Sequence, residues 1–161
     1  MATINAKISV VSNDLTSSPL NLTKTMTMTK AGSCNGLELT SGLVQRLFTS
    51  ANQVDLITAG AQNYGTPTAS TVPSANKLYI RNIGSPVNAP GTSYVTIGLG
   101  TSSGSGTATT DNVDGTAMTI GRLYDGDWML IPFHGTATVG DVWIQPMDGT
   151  TTGVEYILFF E

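Results

Sequence analysis

The sequence predicts an all-β protein: a two-sheet antiparallel β-sandwich of jelly-roll type, with about 8–10 short strands and two long loops. Three observations lead there. Apolar and polar residues alternate with a period of two in segment after segment. Clusters of Gly, Pro, Asn, Asp and Ser separate those segments. Two turn-rich stretches, 60–76 and 100–115, are longer than an ordinary connection, and on a sandwich such loops gather at the ends of the sheets.

The N-terminal half yields strands at Ile4 to Val11, Leu22 to Thr29, Leu37 to Thr40, Val44 to Thr49 and Val54 to Thr58. In the second of these, TKTMTMTK, Thr23, Thr25, Thr27 and Thr29 share one face, and Leu22, Met26 and Met28 share the other. Leu43, Leu47, Ala51 and Val54 also fit a helical period, but Thr49, Ser50 and Asn52 favour a turn between two strands.

Further along, KLYIRN turns Leu78 and Ile80 inward and Lys77, Tyr79 and Arg81 outward. SYVTIGLG turns Val95, Ile97 and Leu99 inward. TAMTIGRLY sets Met118 and Ile120 on one side and smaller residues on the other. GVEYILFFE aligns Val154, Tyr156, Leu158 and Phe160 against Glu155, Ile157 and Phe159, as a central strand closing the core would.

Between them lies a repeat. GDWMLIPFHG (126–135) and GDVWIQPMDG (140–149) share the frame Gly-Asp, four residues, Pro, two residues, Gly. The expectation is two successive strands built alike, each launched by a Gly-Asp turn and stopped by a proline that lacks an N–H donor. Trp128 and Leu130 face one way and Met129, Ile131 and Phe133 the other, so the first strand is expected between two layers. His134 falls just past its end.

At 161 residues, the chain is expected to be a single domain over 1–161, with residues 1–20 able to form an extended N-terminal arm. Only 11% of residues are charged, against a usual figure of about 25%, while threonine fills 25 positions. The surface is therefore coated by small polar residues. Residues 1–110 carry six Lys/Arg and three Asp/Glu, and 111–161 carry one Arg and eight acids, about +3 against −7. Cys34 is the sole cysteine, so no intrachain disulfide is expected. The opening MATINAKISVV lacks the long apolar core of a secretion signal, and no run reaches the ~20 apolar residues of a membrane helix. Synthesis in a cytoplasm and no membrane partner are expected.

The chemistry-bearing residues are sparse. A Ser-His-Asp arrangement would have to be built around the one histidine, His134, which adjoins no nucleophile elbow. Asp125 with Asp127, and Asp111 with Asp114, could pair as glycosidase carboxylates, but Asp-Gly is first of all turn chemistry. No zinc ligand set or calcium-loop spacing occurs. Seven scattered Lys/Arg on an acidic chain make a poor phosphate footprint. No enzyme activity, cofactor, metal or nucleic-acid partner is expected. Exposed aromatics offer a different function, a carbohydrate-binding surface, with Tyr64, Tyr79, Tyr94, Tyr124 and Trp143 as candidates.

KLYIRN (77–82), GRLYDGDWMLIPF (121–133) and EYILFFE (155–161), behind a Thr-rich strand and KAGSCNGLEL (30–39), carry a resemblance. In pattern, over most of its length, the chain resembles the small β-rich virion structural proteins of tailed bacteriophages. The resemblance implies a non-enzymatic capsid decoration or cement protein on the virion exterior, made in the host cytoplasm. Its partners would be the major capsid protein and neighbouring virion proteins, and it would form a homo-oligomer, with a trimer favoured. A neck or tail protein, or a receptor-recognition module that binds carbohydrate, is the alternative. The resemblance carries no catalytic residue.

Overall fold

The computed structural model describes residues 4–13, 20–29, 39–49, 52–57, 75–85, 93–100, 117–135, 141–147 and 151–160. Among them are eleven strands and no helix. Tyr64, Cys34, the acids of 111–115 and most of both long turn-rich stretches lie outside the described residues. The chain divides into two compact units, Met1–Leu39 with Glu161, and Thr40–Phe160.

In the first unit, β1 (Ile4–Ser12) pairs antiparallel with β2 (Leu20–Met28) in an unbroken register, Ile4 opposite Met28 through Ser12 opposite Leu20. Cross-strand partners share a face, so this register sorts the hairpin by polarity. One face holds Ile4, Ala6, Ile8, Val10, Leu20, Leu22, Met26 and Met28 with Lys24 and Ser12. The other holds the threonines, and there the Thr27 hydroxyl donates to Asn5 Oδ1 at 2.9 Å. The two-faced strand expected from TKTMTMTK is present, and within the 1–20 stretch Ile4–Ser12 forms its antiparallel partner.

The second unit contains β3 from Thr40 (Leu39–Thr40), β4 (Val44–Phe48), β5 (Val54–Ile57), β6 (Ala75–Gly84), β7 (Tyr94–Gly100), β8 (Ala117–Tyr124), β9 (Trp128–Gly135), β10 (Val142–Pro146) and β11 (Thr152–Phe160). Their pairing is nested: β4 with β11, β5 with β10, β6 with β9 and β7 with β8, all antiparallel. Two further pairings, β11 with β6 and β10 with β7, roll this long ribbon into two sheets. One sheet runs β5-β10-β7-β8, and the other runs β3-β11-β6-β9 with β4 also on β11. A ribbon of nested antiparallel pairs rolled into two sheets is a jelly roll.

The core lies between those sheets. Leu78, Ile80, Phe133, Val154, Leu158 and Phe160 from one meet Leu56, Val95, Ile97, Leu123, Val142 and Ile144 from the other. Each such side chain contributes roughly 1.5–3 kcal/mol of burial. β11 is paired along both edges, the central position its apolar pattern indicated.

Two expectations need correction. β9 is an edge strand, paired with β6 alone in the sheet order, rather than a strand enclosed between layers. Pro132 does not stop it. The strand continues through His134 to Gly135, because an edge strand tolerates a residue without an N–H donor. In β8, Met118 and Ile120 are exposed and Leu123 is the core residue. A register shift opposite Ile97 and Gly98 changes the parity of the strand between those positions.

Candidate functional site

Alternation in β6 sends Lys77, Tyr79 and Arg81 away from the core that Leu78 and Ile80 fill. Register then aligns neighbours on that outer face. Arg81 is opposite Trp128 on β9 and opposite Glu155 on β11, and Tyr79 is opposite Leu130 and Ile157. Trp128, Arg81 and Glu155 thus form one row across three strands, with Tyr79 in the next row.

Glu155 anchors the row. It is only 7% exposed, and its carboxylate accepts from Gln45 Nε2 at 3.2 Å and from the Tyr79 hydroxyl at 3.1 Å. Arg81 Nη1 stands 3.5 Å from the same carboxylate. With the guanidinium half exposed, this pair adds well under about 1 kcal/mol, so its main consequence is to orient Arg81 and balance its charge. Partial burial holds the Tyr79 phenol above the usual tyrosine range, the Glu155 hydrogen bond and charge add to that, and Arg81 opposes it.

The aromatic part is equally constrained. The Tyr79 and Trp128 rings lie 6.3 Å apart between centroids and 37° from parallel, within the range in which tilted aromatic pairs attract. Together with Arg81 and Gly126 they line a shallow depression of about 390 Å³.

A tight turn sets Trp128 at its rim. The Asp127 N–H donates to the Tyr124 carbonyl at 2.9 Å, and Gly126 takes φ 87°, a conformation open to glycine at little cost. Fully buried Asn82 on β6 holds this turn: its backbone bonds both Asp127 and Gly126, and its side chain donates to the Leu123 carbonyl at 2.9 Å.

Asp125 and Asp127, which flank Gly126 at the start of GDWMLIPFHG, and His134, near its end, are not brought together. Asp127 accepts from the Tyr124 N–H at 2.9 Å, and the Ser93 hydroxyl donates to Asp125. His134 is exposed six residues beyond Trp128 on the same strand, roughly 20 Å away at the rise of extended chain. Among the described residues no three His, Cys, Asp or Glu side chains form a group able to hold a metal ion.

The candidate aromatics are dispersed. Tyr79 lines the depression. Tyr94 and Tyr124 pair with each other on the other sheet, 5.7 Å between centroids, with the Arg122 guanidinium 4.5 Å over Tyr94. Trp143 is only 1% exposed and crosses Gly98, so it offers no surface to a ligand. Trp128, 47% exposed, is the tryptophan that reaches solvent. Its outward parity was readable beside Leu130, but its nearness to Tyr79 and Arg81 required the β6–β9 register. Searches of protein-family models, curated proteins and solved structures return no match for this chain.

Proposed function

We propose that the chain is a non-enzymatic structural protein of a tailed-phage virion, a decoration or cement subunit that docks on the outer face of the major capsid lattice. The N-terminal hairpin carries this reading. An isolated two-stranded sheet is at best marginally stable in water, yet Ile8, Val10, Leu20, Leu22 and Met26 of its apolar face are all exposed. Such a face is suited to cover by a neighbouring subunit, and a trimer of this chain on a lattice would supply neighbours. The jelly roll, an architecture suited to virion surfaces, the small polar coat and the sequence resemblance support the same reading. Many weak sites then brace a shell, since occupancy at 100 times Kd stabilises what is bound by about 2.7 kcal/mol per site.

Cryo-electron microscopy of the phage particle that encodes the chain tests this. The expected result is jelly-roll density on the head exterior. Density confined to the neck or tail, or absent from the particle, overturns it. Val10 and Leu22 are cross-strand partners on the exposed face, so Val10→Asp with Leu22→Asp should abolish particle binding while the Thr40–Phe160 unit keeps its thermal transition.

A further inference from the structure

The geometry points to a ligand site for a neutral glycan in the Tyr79–Arg81–Trp128 depression, with the sugar ring stacked on the two aromatic rings and its hydroxyls bonded to the Arg81 guanidinium. This inference does not depend on where in a virion the chain sits. Its basis is the simultaneous presence of an exposed apolar platform and an oriented, charge-balanced donor.

The platform comes first. Trp128 and Tyr79 are tilted 37° with centroids 6.3 Å apart, so their faces form a shallow trough rather than a flat stack. A pyranose ring presents C–H groups on its faces and hydroxyls on its edge. Aromatic faces take the former, and a fork of N–H donors takes the latter. Arg81 supplies that fork on the trough wall.

Charge then selects the ligand. Glu155 lies 3.5 Å from the Arg81 guanidinium, so the row is close to neutral. An anion such as phosphate finds its cation already balanced. A quaternary ammonium group, which also favours Trp and Tyr faces, meets Arg81 on the trough wall. A nucleobase would stack as well, but its phosphates lack a basic track on a chain of net charge −4. A polar, uncharged ligand with apolar faces remains.

The trough is also preformed and open. The Tyr79 hydroxyl is tied to Glu155 at 3.1 Å, which fixes the ring, and the turn bonds to Asn82 fix the start of the strand that carries Trp128. Nothing lies within 4 Å of the position a Cβ on Gly126 would occupy. A saccharide chain can therefore run out past Gly126, as an oligosaccharide requires.

The test titrates the full-length protein with four neutral probes (maltotetraose, cellotetraose, chitotetraose and mannotetraose) and with inorganic phosphate and choline, following tryptophan fluorescence and calorimetric heat. At least one saccharide should bind with Kd of about millimolar or tighter, as expected for a shallow site. Trp128→Ala should weaken that binding about tenfold or more. Tyr124→Ala, on the other sheet, should leave it unchanged. Glu155→Gln leaves Arg81 uncompensated and should create phosphate binding that the wild-type protein lacks. Four outcomes overturn the inference: no saturable response to any saccharide up to about 50 mM, saccharide binding that survives Trp128→Ala, wild-type preference for phosphate or choline, or no phosphate binding by Glu155→Gln. Unchanged thermal transitions in the variants separate lost binding from lost folding.

Discussion

Trp128 and Trp143 stand at neighbouring positions in two stretches that share one Gly-Asp…Pro…Gly frame, GDWMLIPFHG and GDVWIQPMDG, yet one is 47% exposed and the other 1%. Both point away from the core between the sheets, since Met129 and Ile131 flank the inner side of β9 while Val142 and Ile144 fill it from β10. The difference is set by what stands across the strand. Trp143 is paired with Gly98, and a Cβ there would come 2.0 Å from Trp143 Cζ2, so the indole lies directly over the space a side chain would fill. Trp128 is paired with Arg81, on an edge strand, and has no such gap to enter. A tryptophan's role here depends on a residue tens of positions away in sequence, and the local frame does not contain it.

The largest expected effect divides the two residues outright. Trp143→Ala should cost about 3–5 kcal/mol in chemical denaturation, the range for truncating a buried aromatic, whereas Trp128→Ala should stay within about 1 kcal/mol of wild type. Trp143→Phe should cost less than Trp143→Ala, because phenylalanine keeps most of the buried ring volume; both changes remove an indole N–H buried without an acceptor among the described residues. Equal losses at Trp128 and Trp143 would break the comparison. Next in size is Gly98→Ala, at about 1–3 kcal/mol from overpacking. In a Trp143→Ala background the same change should be neutral or slightly stabilising, since alanine loses less backbone entropy than glycine. A double-mutant cycle measures that coupling, and additive costs would mean that Gly98 does not act by making room for Trp143.

Strand positions and the rolled architecture were legible in the sequence because alternation and turn residues are local properties. β2, β6, β7 and β11 show the faces that their residues indicate. Neighbour relations were less so. Alternation shows that Trp128 and Leu130 share a face but not that β9 lies at an edge, so Pro132 read as a stop rather than as an edge residue. The bulge in β8 reverses parity between Thr119 and Gly121, and no residue in TAMTIGRLY announces it. For the candidate site, Tyr79 and the outward turn of Arg81 followed from KLYIRN. Trp128 did not, and Trp143 was misplaced, because the Tyr79–Trp128 trough and the Gly98 gap are both cross-strand facts.

The smallest effect tests whether Trp128 and Tyr79 act as one surface. Burial first, then the Glu155 bond and charge, hold the Tyr79 phenol above the ordinary tyrosine value of 10.0. Below that value Tyr79 is protonated in both folded and unfolded chains, and the hydrogen bond to Glu155 contributes fully. Above it the unfolded chain releases the phenolic proton first, so the unfolded state binds fewer protons and stability falls until the folded phenol also ionises. Wild-type protein should therefore lose stability relative to Tyr79→Phe as pH rises above 10.0, with no change in that difference below it. Denaturation at a series of alkaline pH values measures the gap, and the other tyrosines cancel because both proteins carry them. Trp128 covers one side of the trough, so Trp128→Ala should admit water to the phenol and bring its ionisation, followed by tyrosinate absorbance, back toward the ordinary value. An unmoved titration would mean that Glu155 alone sets the Tyr79 environment and that the two rings do not form one desolvated platform.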